Sequence, residues 1–270
     1  MSYIRLALKE DIGRRDITTQ LIIPKGKTIK AGLMAKEDCV VCGLQVAGSV
    51  FMSQGKKIKF IPLVKDGQLV LKGKVLGRVE GNARAILTAE RVALNFISLL
   101  SGIATKTCAY VKKARPYGAR IMDTRKTIPG LRILQKYAVR MGGGFNHRMR
   151  LDEMIMVKDN HLKVIGGYKK LLRISDNYQK ELEVENLKEF KEALKLNPNI
   201  ILLDNMSLAD MKQAVKIRKK QSAKRRTLLE ASGGVTLNNV RKIAATGVDM
   251  ISVGDLTHSL KSVDISLEVL

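Results

Sequence analysis

The 270 residues suffice for one α/β barrel or two ordinary domains, and a hydrophobic share of 45% excludes a disordered chain. Tryptophan is absent and aromatic residues are 4% of the total, so the core must be aliphatic and base-stacking platforms are scarce. The formal charge of +24 points to nucleic acid, to small polyanionic substrates drawn in by the field, or to surface lysines without local function.

The first hundred residues read as a mixed sheet with helices, an α/β sandwich. A short helix is expected over 6–11, strands over 29–35, 39–42 and 57–61, and a helix over 43–53. The segment Met1 to Arg15 alternates charged with apolar residues and lacks a signal-peptide core. No run approaches the roughly 18 apolar residues of a membrane span, so the chain is expected to be soluble and cytoplasmic. Cys39 and Cys42 have the spacing of half a zinc site, but no second pair follows and the histidines lie far off in sequence. Apolar packing is the better reading. Asp66-Gly67 signals a turn, after which 68–71 and 74–81 resemble a β-hairpin. Thr88 is placed to cap a helix over 89–100, and Ser101-Gly102 to break it from a second helix over 105–114.

From Gly118 onward, apolar runs alternate with helical stretches, the pattern of parallel β/α units. The runs are 119–122, 154–157, 182–184, 200–203, 227–229 and 250–253, and a short seventh strand is a candidate around Phe145-Asn146-His147-Arg148. Helices are expected over 131–141, 168–177, 187–196, 208–220 and 237–246. The densest basic run, 216–226, falls where a helix and its exit loop belong and reads as a solvated face, which disfavours a nucleic-acid role.

The runs share one property: each ends in charge or glycine. Asp123-Thr124-Arg125-Lys126, Lys158-Asp159-Asn160-His161, Glu185, Asp204-Asn205, Glu230-Ala231-Ser232-Gly233-Gly234 and Gly254-Asp255 follow in turn. Charge at the same end of successive parallel strands converges on one face, which in a β/α barrel holds the active site. The cations there would be Arg125, Lys126, His147, Arg148 and Lys158, and the acids Glu183, Glu185 and Asp204. Strand alternation puts Glu183 and Glu185 on one face. So many cations call for a ligand with several negative charges, arginine pairing with carboxylates and lysine with phosphate. The acids suit Mg²⁺, ribose hydroxyls or a developing cation. Ser232-Gly233-Gly234 with Gly254 offers bare backbone N–H groups, a phosphate nest. Taken singly these features are ordinary: Ser-Gly-Gly is usually a turn, Gly142-Gly143-Gly144 fits no Walker pattern, and His161 suits a hydrogen bond within its own loop. Their recurrence at consecutive strand ends favours a pocket.

Together these motifs resemble the quinolinate phosphoribosyltransferase family. The matching pieces begin with Glu10-Asp11-Ile12-Gly13, Asp16-Ile17-Thr18-Thr19, Thr88-Ala89-Glu90-Arg91-Val92-Ala93-Leu94-Asn95 and Ser101-Gly102-Ile103-Ala104-Thr105. They continue with Asp123-Thr124-Arg125-Lys126-Thr127, Pro129-Gly130-Leu131-Arg132, Lys136-Tyr137-Ala138-Val139-Arg140 and Gly142-Gly143-Gly144 with Asn146-His147-Arg148. The last are Lys158-Asp159-Asn160-His161, Glu183-Val184-Glu185, Leu203-Asp204-Asn205, Glu230-Ala231-Ser232-Gly233-Gly234 and Leu256-Thr257-His258-Ser259. They span nearly the whole chain in the family's order.

The resemblance implies an N-terminal α/β sandwich over 1–103, with the tail 259–270 packing back on it, and an open seven-stranded β/α barrel over 104–258. It implies transfer of the phosphoribosyl group of 5-phosphoribosyl 1-diphosphate (PRPP) to quinolinate with decarboxylation, in NAD biosynthesis. It further implies Mg²⁺ bound with PRPP, and a homodimer or higher oligomer of dimers with shared active sites. By motif, Arg125, His147, Arg148 and Lys158 hold the quinolinate carboxylates, Thr124 lines the same pocket, and Arg91 reaches in from the neighbouring subunit. Lys126, Glu185 and Asp204 are the catalytic set that meets PRPP, with Glu185 and Asp204 on the metal. Ser232, Gly233, Gly234 and Gly254 bind phosphate. A paralogue acting on another pyridine or on a molybdenum-linked substrate is the nearest alternative, and the His147-Arg148 pair with Leu256-Thr257-His258-Ser259 argues against it. Two positions depart from the family's pattern: Arg15 and Arg150 stand where glycine is usual, which bears on loop geometry. The excess positive charge is not explained by the resemblance.

Overall fold

The computed structural model describes residues 2–173, 177–220 and 226–270. The chain divides into two compact units, the first made of residues up to 108, 128–143 and 259–270, the second of 109–127 and 144–258.

The first unit opens with helices α1 (Ser2–Ile12) and α2 (Ile17–Ile22). Asp16 caps α2 by accepting from the Thr19 N–H (2.9 Å), and its other oxygen takes the Thr88 hydroxyl (3.0 Å). There follow β1 (Thr28–Ala35), β2 (Cys39–Val40), α3 (Leu44–Met52), β3 (Lys59–Pro62), β4 (Leu69–Val70) and β5 (Val75–Asn82). Helices α4 (Ala83–Ala114) and α5 (Arg132–Met141) come next, and α4 runs on into the second unit. The closing strand, Ile265–Val269, returns to β1, giving an antiparallel sheet in the order closing strand, β1, β5, β3.

Three expectations change here. The hairpin expected over 68–81 is absent, because β4 pairs with β2 while β5 lies between β1 and β3. The Asp66-Gly67 turn serves a helix instead. The Asp66 carboxylate accepts from the Gly43 and Leu44 N–H groups (3.0 and 3.1 Å) at the start of α3. Thr88 lies inside α4 and does not cap it; Asn82 does, accepting from the Ala85 N–H (3.2 Å). Nor does Ser101-Gly102 break the helix, which runs unbroken for 32 residues. A Cβ on Gly102 would lie 2.0 Å from the Lys261 carbonyl oxygen, so glycine is there for close backbone approach. Ser101 is buried, and its hydroxyl accepts from the Cys42 N–H (2.9 Å).

Cys39 and Cys42 are buried, and burial pushes both thiols up, Cys39 to about 11 with help from the Glu37 and Asp38 charges. They therefore pack as neutral thiols. Among the described residues one helix, running 83–117 with the short turn after α4, is long and apolar enough to cross a membrane by length and composition. Most of its apolar window is buried within the fold, which marks a core helix.

Among the described residues the second unit has six parallel strands: β6 (Arg120–Met122), β7 (Ile155–Val157), β8 (Lys180–Val184), β9 (Ile200–Asp204), β10 (Leu228–Ser232) and β11 (Met250–Ser252). Helices α6 (Asp159–Ile165), α7 (Leu187–Lys195), α8 (Leu208–Lys219), α9 (Val240–Ala244) and α10 (Asp255–His258) alternate with them. Asn186 and Ser207 cap α7 and α8 through their side-chain oxygens, which fixes where the chain leaves β8 and β9. The sheet order is β6, β11, β10, β9, β8, β7, so the first strand pairs with the last. The candidate seventh strand contributes one parallel bridge, Met122 to Phe145, on the free side of β6. It goes no further because Asp123 takes the next free N–H, that of His147 (2.9 Å), on its side chain.

Residues 168–173 form a short 3₁₀ helix, and the rest of the helix expected over 168–177 falls partly on 174–176, outside the described residues. Residues 221–225 of the basic run also lie outside them. Of its described members, Arg218 departs from the solvated reading. It is buried, and its guanidinium meets Asp249 at 2.9 Å, where Arg226 also binds (2.6 Å).

Strand alternation gives this sheet two unlike faces. One face carries Leu182, Val184, Ile201, Leu203, Leu229, Ala231 and Ile251, all buried and apolar. The other carries Glu181, Glu183, Asp204, Glu230, Ser232 and Ser252, interspersed with the buried apolar Leu202 and Met250, across β8 to β11. A row of polar side chains along one face of a buried parallel sheet is costly unless they serve each other or a ligand.

Candidate active site

At the ends of these strands lies a cavity of about 850 Å³. Asp123, fully buried just past β6, organises its first wall. Its carboxylate accepts from the His147 N–H (2.9 Å) and from the Asn146 side-chain amide, tying the loop after β6 to the segment 146–148. The Thr124 hydroxyl accepts from the Lys126 N–H (3.0 Å), and the buried Thr257 donates to the Lys126 carbonyl (2.6 Å). Held at both ends, this loop places Thr124, Arg125 and Lys126 on the cavity wall.

Arg148 and Lys158 face the same space. Arg148 donates to the Met154 carbonyl (2.9 Å), which fixes its side chain. Burial, and then repulsion from Arg125, hold its guanidinium below the usual arginine range, although it stays charged at any ordinary pH. Two crowded guanidinium groups beside two lysines favour a multiply charged anion. Lys158 Nζ lies 2.6 Å from Glu183 Oε2, and the Lys158 N–H donates to His161 Nδ1 (2.9 Å), so His161 serves its own loop.

The opposite wall is Asp204 with the Ser232-Gly233-Gly234 loop. Asn205 follows Asp204 in the left-handed region (φ 51°), sparsely populated by residues other than glycine. Its N–H donates to the Ser232 carbonyl (2.9 Å) and its amide to Asp204 (2.8 Å). Gly233 has φ +92°, and a Cβ there would fall 2.0 Å from the Asn205 amide oxygen, so this turn requires glycine twice over. Gly254 stands close against the His258 ring and also borders the cavity.

His147 also joins a polar cluster whose acids, Glu181 and Glu230, the sequence analysis does not count among the pocket acids. His147 Nε2 lies 2.9 Å from Glu181 Oε2 and 3.7 Å from Glu230 Oε1, and the Ser252 hydroxyl donates to Glu230. Glu181 and Glu230 are essentially inaccessible to solvent. The signal was present: an acid every second residue in Glu181-Leu182-Glu183, and Glu230 two before Ser232, inside runs that otherwise read as buried strand.

The match to known proteins decides the family. The description "Quinolinate phosphoribosyl transferase, C-terminal domain" matches residues 103–268, and its N-terminal counterpart matches 16–101. The chain belongs to the quinolinate phosphoribosyltransferase family. It is 43% identical over 277 residues to a probable nicotinate-nucleotide pyrophosphorylase [carboxylating] of Methanocaldococcus jannaschii, covering 100% of this chain and 96% of the relative. It is 41% identical over 275 residues to the nicotinate-nucleotide pyrophosphorylase [carboxylating] of Mycobacterium leprae, covering 98% and 95%. The solved nicotinate-nucleotide pyrophosphorylase of Francisella tularensis superposes with a TM-score of 0.93 at 41% identity, covering 100% of this chain and 95% of that one.

Within this quinolinate phosphoribosyltransferase fold, Thr124, Arg125, Lys126, His147, Arg148, Lys158, Asp204, Ser232, Gly233, Gly234 and Gly254 all line one cavity. Glu185 does not. Strand β8 ends at Val184, and beyond it Glu185 is exposed with its N–H donated to Glu189 (2.9 Å). Glu183, two residues earlier on β8, does line it. Arg91 belongs to the first unit and is exposed, 3.4 Å from the neighbouring Glu90. Arg15 and Arg150 are exposed and neither has left-handed backbone, so these departures from glycine strain no loop.

A kinetic contrast follows. Glu183→Gln is expected to lower kcat/KM about 100-fold, because it removes the partially buried partner of Lys158. Glu185→Gln is expected to stay within about twofold, as is usual for exposed substitutions. Steady-state kinetics on the two variants in parallel checks the reassignment.

Proposed function

We propose that the chain transfers the phosphoribosyl group of PRPP to quinolinate with decarboxylation, giving nicotinate mononucleotide, CO₂ and pyrophosphate for NAD biosynthesis. The observation that carries this reading is the crowding of Arg125 against Arg148, with Lys126 and Lys158 on the same cavity and Asp204 on its far wall. A pyridine dicarboxylate satisfies the guanidinium groups, and diphosphate suits the lysines and the glycine loop. We read the parallel sheet with its Phe145 bridge as an open seven-stranded barrel, since its first strand pairs with its last and its free edges, Phe145 and β7, are successive in sequence.

In this mechanism Arg125, Arg148 and Lys158 orient quinolinate with its ring nitrogen toward C1 of the ribose. The nitrogen carries no proton, so its attack needs no general base. The C1–O bond to pyrophosphate breaks, positive charge gathers on the sugar, and Asp204 stabilises it. Lys126 neutralises the departing pyrophosphate. The pyridinium formed draws electrons from C2, the C2–carboxylate bond breaks, CO₂ leaves, and a proton from solvent takes its place. Positioning by fixed cations supplies much of the rate.

Mg²⁺ fits this wall. It takes one or two carboxylates with phosphate oxygens and water, and Asp204 presents a partly exposed carboxylate beside the glycine loop. Asp204 would hold it, and the ion would supply charge neutralisation for the diphosphate. We assign Arg91, exposed on α4, to the pocket of a partner subunit in a homodimer or an oligomer of dimers, following the family resemblance.

The test is CO₂ release from carboxyl-labelled quinolinate. Release is expected only with PRPP and Mg²⁺ together. Release without PRPP, or none with both present, overturns the reading.

A further inference from the structure

We infer that Glu181 and Glu230 are positioning residues that lock His147 as a neutral imidazole, protonated on Nε2, in the floor of the cavity. One hydrogen bond fixes the tautomer. The Arg148 backbone N–H points at His147 Nδ1 (2.8 Å), so that nitrogen accepts and carries no proton. The ring proton is on Nε2, which faces Glu181 Oε2 at 2.9 Å and Glu230 Oε1 at 3.7 Å.

The same three side chains place one ligand atom each within 4.8 Å of one another, the geometry of a metal site. The Arg148 hydrogen bond argues against that use. A cation on Nε2 would require the ring proton on Nδ1, where a backbone N–H already points. The cluster therefore holds a proton where a metal would sit.

Burial and the Glu181 charge push Glu230 up, against the opposing pull of the Ser252 hydroxyl and Arg120. These neighbours come from β8, from β11 and from β6. The Arg148 guanidinium also feels the Glu181 charge.

The consequence rests on the proposed reaction. With its charge withheld, His147 leaves recognition of the carboxylates to Arg125, Arg148 and Lys158. Its own contribution is to fix the Arg148 backbone, and with it the guanidinium that meets substrate.

Nitrogen-15 NMR of histidine-labelled protein tests the tautomer without reference to activity. The His147 signals, assigned by loss in His147→Gln, are expected to show a protonated Nε2 and a bare Nδ1 from pH 6 to 8. A doubly protonated ring at pH 7, a proton on Nδ1, or a shift of Nε2 on adding Zn²⁺ or Mn²⁺ would overturn the inference. Glu181→Ala should scramble the tautomer and raise KM for quinolinate about tenfold with kcat less affected. Glu181→Gln, which keeps an acceptor oxygen, should restore both. Unchanged KM and an unchanged spectrum in Glu181→Ala would also overturn it. If the protein released no CO₂ from quinolinate, the proposed reaction would fail while the NMR result still decided the state of His147.

Discussion

Arg125→Ala is expected to weaken quinolinate binding about a thousandfold, the usual scale for truncating one partner of a desolvated, charge-assisted contact. The fold should survive. Arg125 sits on a loop already held by Asp123, the Thr124 hydroxyl and Thr257, and its removal relieves repulsion on Arg148. Thermal stability should therefore equal or slightly exceed that of the unaltered chain. Lys158→Ala should lose comparable affinity but also stability, because it strands Glu183, whose side chain is 9% exposed, without its ion-pair partner. Calorimetric titration with quinolinate, paired with thermal melts, separates the two. Native affinity in Arg125→Ala would remove it from the binding set.

Asp204→Asn is expected to lower kcat by about two to three orders of magnitude while KM for PRPP moves only severalfold. The substitution keeps size and leaves Asn205 a hydrogen-bond partner, so the left-handed turn at Asn205 and its fit against Gly233 should persist. What disappears is the negative charge facing C1 as the sugar becomes cationic, an interaction strongest in the transition state. A raised KM at unchanged kcat would make Asp204 a ground-state binding group instead.

Much of this site could be read from the chain alone. Apolar runs that end in charge mark buried parallel strands, and the sheet brings those ends together. Past the end of a strand the sequence says less: Glu183 lines the cavity, whereas Glu185, two residues on, lies beyond the end of β8, next to the Asn186 cap of α7. The reading failed where distant contacts decide local roles. Ser101-Gly102 looks like a helix stop in sequence, yet the glycine answers to the carbonyl of Lys261 and the serine to the backbone of Cys42. Acids that serve other side chains within the sheet, Glu181 and Glu230, left only a weak trace, since a short run with alternate glutamates also reads as a half-exposed strand.

The return of the closing strand to β1 has a consequence for how the protein is made. That strand is the last in chain order, and it covers an edge of the first unit's main sheet. During synthesis the segments of the second unit emerge whole before this edge is covered, so the unit that begins first is finished last. Until then β1 offers an unpaired edge to any neighbouring nascent chain. Loss of the strand Ile265–Val269 should therefore produce aggregates seeded by the exposed edge of β1.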